Sequence, residues 1–228
     1  MHGAWHGGWC WRRVGDRLQK AGHRVFAPTL TGLGERAHLL TPAVDLDTHV
    51  EDIVGMLAAE ELESVVLAGH SYAGLVISGV AVRARKRLRQ LVYLDALLVE
   101  DGQSWAEAFP PEVTEARRKS ATVTNGVKTL PAPDPKIYGF ANPADDQWLR
   151  RRLTPHPYAP FEQKVQWGSP LGNGLPKVYV DCTQPALAAL AAIKARHRAH
   201  WEFLELQTGH DLMVSAPEET AQILLRYA

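Results

Sequence analysis

One segment of this 228-residue chain constrains its fold more than any other, the run from Val65 to Gly74. It reads Val-Val-Leu-Ala-Gly-His-Ser-Tyr-Ala-Gly. Its β-branched and aliphatic start is typical of a strand buried on both faces of a parallel sheet, and the apolar pattern that continues to residue 85 favours a helix. Small residues surround the serine between them, Ser71, as a tight strand-to-helix turn requires. The pattern predicts a strand at 64–68 that turns sharply into a helix at 72–85.

Strand-type and helix-type segments alternate along most of the chain, which favours an α/β fold, a mostly parallel sheet with helices on both faces. Further strands are predicted at 24–27, 91–95, 177–182 and 202–206, and further helices at 9–21, 48–60 and 217–227. Residues 97–176 interrupt this rhythm and hold 11 of the 15 prolines. A loop of that length without structure is uncommon in a compact domain. We therefore expect a core of residues 1–96 and 177–228 with an inserted cap at 97–176.

Composition and charge argue against several classes of protein. Lys and Arg together number 25, as do Asp and Glu, so the formal net charge is zero, whereas a nucleic-acid binder normally carries a basic excess. No apolar run approaches the roughly 18 residues of a membrane span. The two distant cysteines, Cys10 and Cys182, are typical of buried thiols in a reduced compartment. We predict a cytoplasmic protein without nucleic-acid or membrane partners, and the sequence is compatible with a homodimer.

Ser71 and His210 are the residues that the pattern itself assigns to chemistry. A tight strand-to-helix turn lifts the serine hydroxyl above the sheet edge, in front of a helix N-terminus that favours developing negative charge. A serine nucleophile needs a general base. His210 follows the last predicted strand, in Thr208-Gly209-His210-Asp211, and the carboxyl ends of parallel strands share one edge of a sheet. We therefore predict Ser71 as nucleophile and His210 as base.

Three motifs, in this order, resemble the α/β-hydrolase superfamily, particularly its branch of plant methylesterases, hydroxynitrile lyases and related bacterial esterases. They are His2-Gly3-Ala4-Trp5-His6-Gly7-Gly8-Trp9, Gly69-His70-Ser71-Tyr72-Ala73-Gly74 and Gly209-His210-Asp211-Leu212-Met213. The resemblance covers nearly the whole chain and is weakest in the insert. It implies an oxyanion hole formed by the backbone N–H groups of Ala4 and Tyr72. It also implies ester hydrolysis through an acyl-enzyme, with no metal and no organic cofactor.

Two positions discriminate between branches of that family. Its cyanohydrin lyases have threonine where this chain has Gly3, and lysine where it has Asp211. Without that lysine there is no cation to handle a cyanide leaving group, so the resemblance favours ester hydrolysis. Related dehalogenases and epoxide hydrolases need an aspartate nucleophile, but this chain has a serine at position 71.

The acid of the predicted triad departs from the pattern of the family. Most relatives place it in the loop after the penultimate strand, which here reads Cys182-Thr183-Gln184-Pro185-Ala186-Leu187 and has no carboxylate. A carboxylate is needed to orient the imidazole and to stabilise its cation. Asp95, at the end of the predicted strand 91–95, is our main candidate. Asp181, Asp101 and a triad without an acid stay open as alternatives.

Apolar and aromatic residues near the motifs are candidates for a substrate pocket. They are Trp5, Leu97, Leu98, Trp105, Phe109 and Met213. With no basic cluster beside them, they favour a small to medium uncharged, apolar ester over a phosphorylated or polyanionic substrate. Two alternatives stay open: a receptor-like ligand-binding protein with a slow or inactive triad, and a lactonase or C–C or C–N bond hydrolase that uses the same triad.

The chain starts directly at Met1-His2-Gly3, whereas the resemblance implies a central strand immediately before His2. That strand would lie between the predicted strands at 24–27 and 64–68. We therefore expect a gap in the sheet beside the oxyanion hole, where each unpaired backbone group costs about 1–3 kcal/mol. Our hypothesis is that the natural reading frame begins several residues upstream of Met1.

Overall fold

A computed structural model describes residues 1–139 and 142–228 of the chain. In that part, the strands are β1 (Val65–His70), β2 (Leu88–Leu94), β3 (Thr122–Thr124), β4 (Val127–Leu130), β5 (His156–Pro157), β6 (Lys177–Cys182) and β7 (Glu202–Leu206). The α-helices are α1 (Arg12–Lys20), α2 (Leu46–Ala59), α3 (Ala73–Arg83), α4 (Pro111–Ser120), α5 (Pro143–Arg150), α6 (Ala159–Glu162), α7 (Ala191–Arg198), α8 (Leu212–Ser215) and α9 (Pro217–Leu225). None of the helices described is both long enough and apolar enough to cross a membrane.

Four parallel strands form the main sheet, in the order β1-β2-β6-β7. In β2, Tyr93 lies opposite Gly69 of β1, and Val92 lies opposite Val178 of β6. Successive side chains of a strand point to opposite faces. Tyr93 accordingly packs with residues of α2 and α3, while Val92 packs with residues of α1 and α9. The predicted α/β class, with helices on both faces of a parallel sheet, is confirmed.

The carboxyl edge of this sheet gathers the candidate functional residues. Ser71 directly follows β1, and Asp95 directly follows β2. Asp181 is the penultimate residue of β6, and His210 lies in the loop between β7 and α8. Because the strands run parallel, these four positions come from segments distant in sequence and meet at one edge.

Residues between β2 and β6 form a second, smaller sheet, in which β3, β4 and β5 pair antiparallel. The same segment carries α4, α5 and α6. It attaches to the loop of the His-Gly motif through Trp5, whose indole N–H donates to the carbonyl oxygen of Leu130 over 3.1 Å. The carbonyl oxygen of Trp5 in turn accepts the N–H of Thr154 over 2.9 Å.

The predicted strand at 24–27 is wrong, since residues 23–30 belong to no strand. A strand needs a neighbour to complete its ladder of backbone hydrogen bonds, and this segment has none. A groove of about 540 Å³ separates it from β1. Met1 lines this groove; its amino group donates to the carbonyl oxygen of Ala68 over 2.6 Å, and its own carbonyl accepts the N–H of His70 over 3.1 Å. With no strand at 24–27, β1 is the edge strand of the main sheet, and the groove lies along its outer side.

Candidate active site

Ser71 occupies the tight turn between β1 and α3, with its backbone in the left-handed region at φ 54°. This conformation is uncommon for residues other than glycine and concentrates at functional sites. The N–H of Ser71 donates to the carbonyl oxygen of Leu94 over 3.2 Å, and its carbonyl accepts the N–H of Gly74 over 2.9 Å. Gly69 permits the close turn, because a Cβ there would lie 2.7 Å from the carbonyl oxygen of Ala73. These contacts hold Ser71 at the sheet edge with its side chain partly exposed.

His210 and Asp95 form a buried pair at the same edge. The Nδ1–H of His210 donates to Oδ2 of Asp95 over 2.6 Å, and the two residues are 4% and 0% exposed. Asp95 is a second left-handed residue, at φ 44°. Because the proton lies on Nδ1, Nε2 of the neutral ring carries the free lone pair. Within the described part of the chain, Nε2 makes no hydrogen bond.

His70, the residue before Ser71, fixes the loop that carries His210. Its Nε2–H donates to the carbonyl oxygen of His210 over 2.9 Å. Burial and the neighbouring His210 lower the pKa of His70 to about 3, so its ring is neutral at physiological pH. Ser71 Oγ makes no hydrogen bond to His210 or to another described residue in this unliganded arrangement.

Two further groups stabilise negative charge on Asp95. Its Oδ1 accepts the N–H of Cys182 over 3.3 Å and lies 2.6 Å from Nζ of Lys194. Burial alone would raise the pKa of Asp95, but the hydrogen bond and charge of His210, and then the charge of Lys194, hold it below its ordinary value. The carboxylate is therefore ionised at physiological pH.

The structure keeps the other two candidate acids away from the imidazole. Asp181 lies inside β6 and pairs with Lys194 and Arg198, each over 2.6 Å. Asp101 accepts hydrogen bonds from backbone N–H groups of residues 167 and 168. Neither makes an ion pair with His210. The aspartate after β2 is the one that contacts the ring.

The predicted oxyanion donors, the backbone N–H groups of Ala4 and Tyr72, donate no hydrogen bond to a residue that the structure describes. They lie in the segments that adjoin Ser71. Gly3 packs directly against the turn, because a Cβ at position 3 would lie 2.9 Å from Cβ of Ser71. A threonine at position 3 would therefore force the turn to shift. Two unpaired donors thus flank the candidate nucleophile.

A second buried histidine–aspartate pair, His6 and Asp211, was not predicted from the sequence. The Nε2–H of His6 donates to Oδ2 of Asp211 over 2.9 Å, and its Nδ1–H donates to the carbonyl oxygen of Ala4 over 2.8 Å. Both ring nitrogens face acceptors, which suits the doubly protonated ring. Burial would lower the pKa of His6, but the charge and hydrogen bond of Asp211 raise it above its ordinary value. The pair ties the Ala4 loop to the residue after His210.

Most of the predicted pocket residues lie together. The ring of Trp105 is 5.3 Å from that of Tyr72 and 6.1 Å from that of Trp5, centroid to centroid. The same hydrophobic cluster includes Leu97, Leu98 and Phe109. Met213 is fully buried in a different cluster, because α8 packs with α1 and α9. The structure therefore leaves Met213 apart from the other five.

One group of described side chains, His70, His210 and Asp211, brings atoms of metal-ligand type within 4.8 Å of one another. Each residue already makes a hydrogen bond within the protein: His210 to Asp95, Asp211 to His6, and His70 to a backbone carbonyl. The group is thus a hydrogen-bond network. The sequence-based expectation of a metal-free and cofactor-free site stays a prediction.

Comparison with known proteins assigns the family. Residues 1–223 match the model of the alpha/beta hydrolase family. The chain belongs to this family. The carbendazim hydrolyzing esterase of Nocardioides sp. (strain SG-4G) is 38% identical over 234 residues, which cover 98% of this chain and 96% of that protein. Methylesterase 18 of Arabidopsis thaliana is 26% identical over 251 residues, covering 100% and 95%.

Solved structures agree on the fold. An extracellular alpha/beta-hydrolase from a Paenibacillus species matches this hydrolase with a TM-score of 0.84 at 23% identity, over 100% of this chain and 97% of that one. The family match and the esterases among the relatives identify the chain as an esterase-type α/β hydrolase, and thus as an enzyme.

Two further buried polar residues of this hydrolase, Lys194 and His156, were not predicted from the sequence. Lys194 lies on α7, whose last turn is rich in basic residues and suggests a solvated face. Buried carboxylates at the strand ends require nearby cations. Lys194 and Arg198 lie on the same face of one helix, at i and i+4, so these two residues could have been predicted to supply the cations. His156, on β5, is fully buried with its ring centroid 4.6 Å from that of Tyr72. No sequence signal distinguishes it from the other histidines.

Proposed function

We propose that this hydrolase cleaves a small to medium uncharged, apolar carboxylic ester through a Ser71–His210–Asp95 triad and an acyl-enzyme. The observation that carries the proposal is the buried hydrogen bond from His210 Nδ1 to Asp95 Oδ2, at the same sheet edge as the left-handed turn of Ser71. This bond leaves His210 Nε2 with the lone pair that a general base needs.

In the first step, Ser71 Oγ attacks the carbonyl carbon of the ester while His210 Nε2 takes the hydroxyl proton. The hydrogen bond between these two atoms forms in the substrate complex, as catalytic hydrogen bonds often tighten only there. The bond between the carbonyl carbon and the alcohol oxygen then breaks, and His210 gives its proton to the departing alcohol. Asp95 stays ionised and stabilises the imidazolium.

In the second step, His210 takes a proton from water, and the oxygen of that water attacks the acyl carbonyl carbon. The bond to Ser71 breaks, the proton returns to Oγ, and the acid product leaves. In both steps the N–H groups of Ala4 and Tyr72 stabilise the oxyanion. Their lack of other acceptors supports this role, and one such donor typically contributes on the order of 10²–10³-fold in rate.

Apolar surroundings support an uncharged substrate. Trp5, Tyr72 and Trp105 form an aromatic group beside the turn of Ser71. Trp105 is almost completely buried, and Trp5 is partly exposed. The names of two relatives, a carbendazim hydrolyzing esterase and a methylesterase, support ester bonds as the target.

Replacing the nucleophile tests the proposal. In Ser71→Ala, we expect turnover of short p-nitrophenyl esters to fall by on the order of 10⁴-fold or more. A fluorophosphonate probe should label the wild-type protein and leave this variant unlabelled. Ser120→Ala, which removes a hydroxyl from the exposed end of α4, is the matched control and should keep both activities. Undiminished turnover by Ser71→Ala would contradict a serine mechanism.

Two results with the wild-type protein would favour the alternatives. Tight binding of a small ligand without turnover would indicate a receptor-like protein with a slow or inactive triad. Preferential turnover of lactones, amides or C–C bonds would indicate a different hydrolase on the same triad. The cytoplasmic location, the small-molecule ester and the homodimer stay predictions.

A further inference from the structure

A lysine is buried behind the His210–Asp95 pair. Lys194, on α7, is 7% exposed, and its Nζ lies 2.6 Å from Oδ1 of Asp95 and 2.6 Å from Oδ1 of Asp181. The same ammonium group donates to the carbonyl oxygen of Cys182 over 3.4 Å. Asp95 uses its other carboxylate oxygen for His210. One buried cation therefore joins the proposed triad acid to a second buried carboxylate.

The burial of this lysine requires a compensating interaction. Moving an ammonium group out of water is unfavourable unless anions are well placed around it. Burial would lower the pKa of Lys194, but Asp95 and Asp181 together raise it above its ordinary value. Lys194 is thus charged. On the outer side, Arg198 pairs with Asp181 over 2.6 Å, so the second carboxylate is held between two cations.

We propose that Lys194 is a positioning residue of the triad, which fixes the carboxylate of Asp95 toward His210 and, together with Asp181, sets how readily His210 takes up a proton. The inference rests on the proposed roles of Asp95 and His210 as acid and base.

The contacts give Asp95 one orientation. Its Oδ1 faces Lys194 and the N–H of Cys182, while its Oδ2 faces Nδ1 of His210. Rotation of the carboxylate would break an ion pair and two hydrogen bonds at once. A carboxylate held in this way keeps the imidazole in the tautomer whose Nε2 is free to act as base.

The same contacts balance the charges around His210. The negative charge of Asp95 favours the protonated ring, and the positive charge of Lys194 opposes it. Asp181 partly cancels the charge of Lys194. Removal of Lys194 and removal of Asp181 should therefore change the protonation of His210 in opposite directions.

Other titratable and charged groups face this cluster from the neighbouring elements. They are Tyr138, Tyr179, Cys182, Arg198, His70 and Asp211. Among the described residues, the side chains within ion-pair distance of Asp95 are Lys194 and His210. Lys194 is therefore the group whose removal most directly changes the charge on the far side of the acid.

The experiment measures kcat/KM and kcat against pH for three variants of the full chain, Lys194→Met, Asp181→Asn and the double variant. In Lys194→Met, the acid limb of kcat/KM should move to higher pH by roughly 0.5–1 unit, since the ring loses a nearby cation. In Asp181→Asn it should move to lower pH by a similar amount. In the double variant, which removes one charge of each sign, it should return to within a few tenths of a unit of the wild type.

Two controls separate this role from a purely structural one. Lys194→Arg keeps the cation and should keep the acid limb at its wild-type position. Lys164→Met removes an exposed lysine that pairs with Glu107, and it should leave the whole pH profile unchanged. If Lys194→Met does not fold, the double variant and Asp181→Asn still test the proposal, because their predicted acid limbs differ from each other.

An acid limb that stays in place in both single variants, with kcat lowered equally at every pH, would show that Lys194 only supports the fold and would overturn the proposal. Shifts in the same direction would also overturn it. If the proposed serine mechanism itself is wrong, Ser71→Ala will turn over the ester as fast as the wild type does, so the two failures can be told apart. If Ser71→Ala is inactive but the acid limbs of Lys194→Met and Asp181→Asn stay at the wild-type pH, the result contradicts only the proposed role of Lys194.

Discussion

Two histidine–aspartate pairs that are buried and joined by a hydrogen bond lie side by side in this hydrolase, and they differ in what the second ring nitrogen does. His210 donates from Nδ1 to Asp95 over 2.6 Å, and its Nε2 makes no hydrogen bond to a described residue. His6 donates from Nε2 to Asp211 over 2.9 Å, and its Nδ1 is bound to a backbone carbonyl over 2.8 Å. Only the first pair leaves a nitrogen free to accept a proton.

The comparison shows that a buried histidine–carboxylate contact does not by itself indicate catalysis. His6 and Asp211 join two loops, and the charge and hydrogen bond of Asp211 raise the pKa of His6 above its ordinary value. His210 and Asp95 lie where strands end, next to a serine with strained backbone. What separates a reactive pair from a structural one is the free lone pair and the neighbouring nucleophile.

The largest expected effect compares the two rings. His210→Ala should lower kcat by on the order of 10⁴-fold or more, because the base is lost. His6→Ala should lower kcat of the folded protein by much less, and by no more than the roughly 10²–10³-fold of one oxyanion donor, because His6 holds the Ala4 loop but has no free nitrogen to give or take a proton. Steady-state kinetics on one p-nitrophenyl ester, with the folded fraction measured by circular dichroism, checks both. Equal losses of kcat would mean that the two pairs are not functionally distinct.

The second prediction compares the same pairs by stability. Asp211→Asn should lower the free energy of unfolding by about 1.5–3 kcal/mol, since a hydrogen bond to a buried charged group is weakened. Its turnover should stay close to that of the wild type. Urea unfolding followed by tryptophan fluorescence measures the stability. A variant that is as stable as the wild type but inactive would place Asp211 in the chemistry.

The third prediction concerns the buried histidines that are held neutral, in contrast to His6. Burial lowers the pKa of His156 well below its ordinary value, and that of His70 to about 3. Below about pH 6.5 the unfolded chain binds protons that these folded rings do not, so stability falls as the pH falls, by about 1.4 kcal/mol per pH unit for each such ring. In His156→Phe, the unfolding free energy should change less steeply between pH 6 and 5, by about the 1.4 kcal/mol per pH unit that one ring contributes. An unchanged slope would contradict this assignment.

The smallest expected effect lies at the outer end of the charged cluster. Arg198 is 48% exposed at its side chain and pairs with Asp181 and Glu205. Solvent screens such a pair, so Arg198→Gln should lower the free energy of unfolding by less than about 1 kcal/mol and leave the acid limb of kcat/KM within a few tenths of a unit. A shift of the acid limb as large as that of Lys194→Met would mean that the exposed Arg198, and not only the buried Lys194, controls the protonation of the site.

Much of the carboxyl edge of the main sheet, where the candidate site lies, can be predicted from local sequence pattern and from the parallel order of the strands. The bounds predicted for β6 and β7 agree with those in the structure, because each is a compact β-type run bounded by turn residues. The strand-to-helix turn at Ser71 is also where the pattern places it. Since parallel strands end at one edge, the positions after β1, β2 and β7 had to meet. The shared edge alone predicts that Asp95 and His210 lie close together.

The rest depends on contacts that no local pattern records. Residues 24–27 have a strand-type composition but no neighbouring strand, so they form none. His6 and Asp211 are separated by 205 positions in sequence. The sequence around Lys194 is typical of a solvated basic helix, and only its contacts with Asp95 and Asp181 reveal that Lys194 is buried. Each of these depends on which elements become neighbours in the folded chain.

The most direct test of the triad compares Asp95→Asn with Asp181→Asn, at the pH optimum of each and on the same ester. Both aspartates are buried and contact Lys194, so the two variants are closely matched. Asp95→Asn should lower kcat by on the order of 10³–10⁴-fold, as expected when the orienting acid of a triad is lost. Asp181→Asn should keep kcat within about tenfold of the wild type. A larger loss in Asp181→Asn, or equal losses in the two, would contradict Asp95 as the acid of the triad.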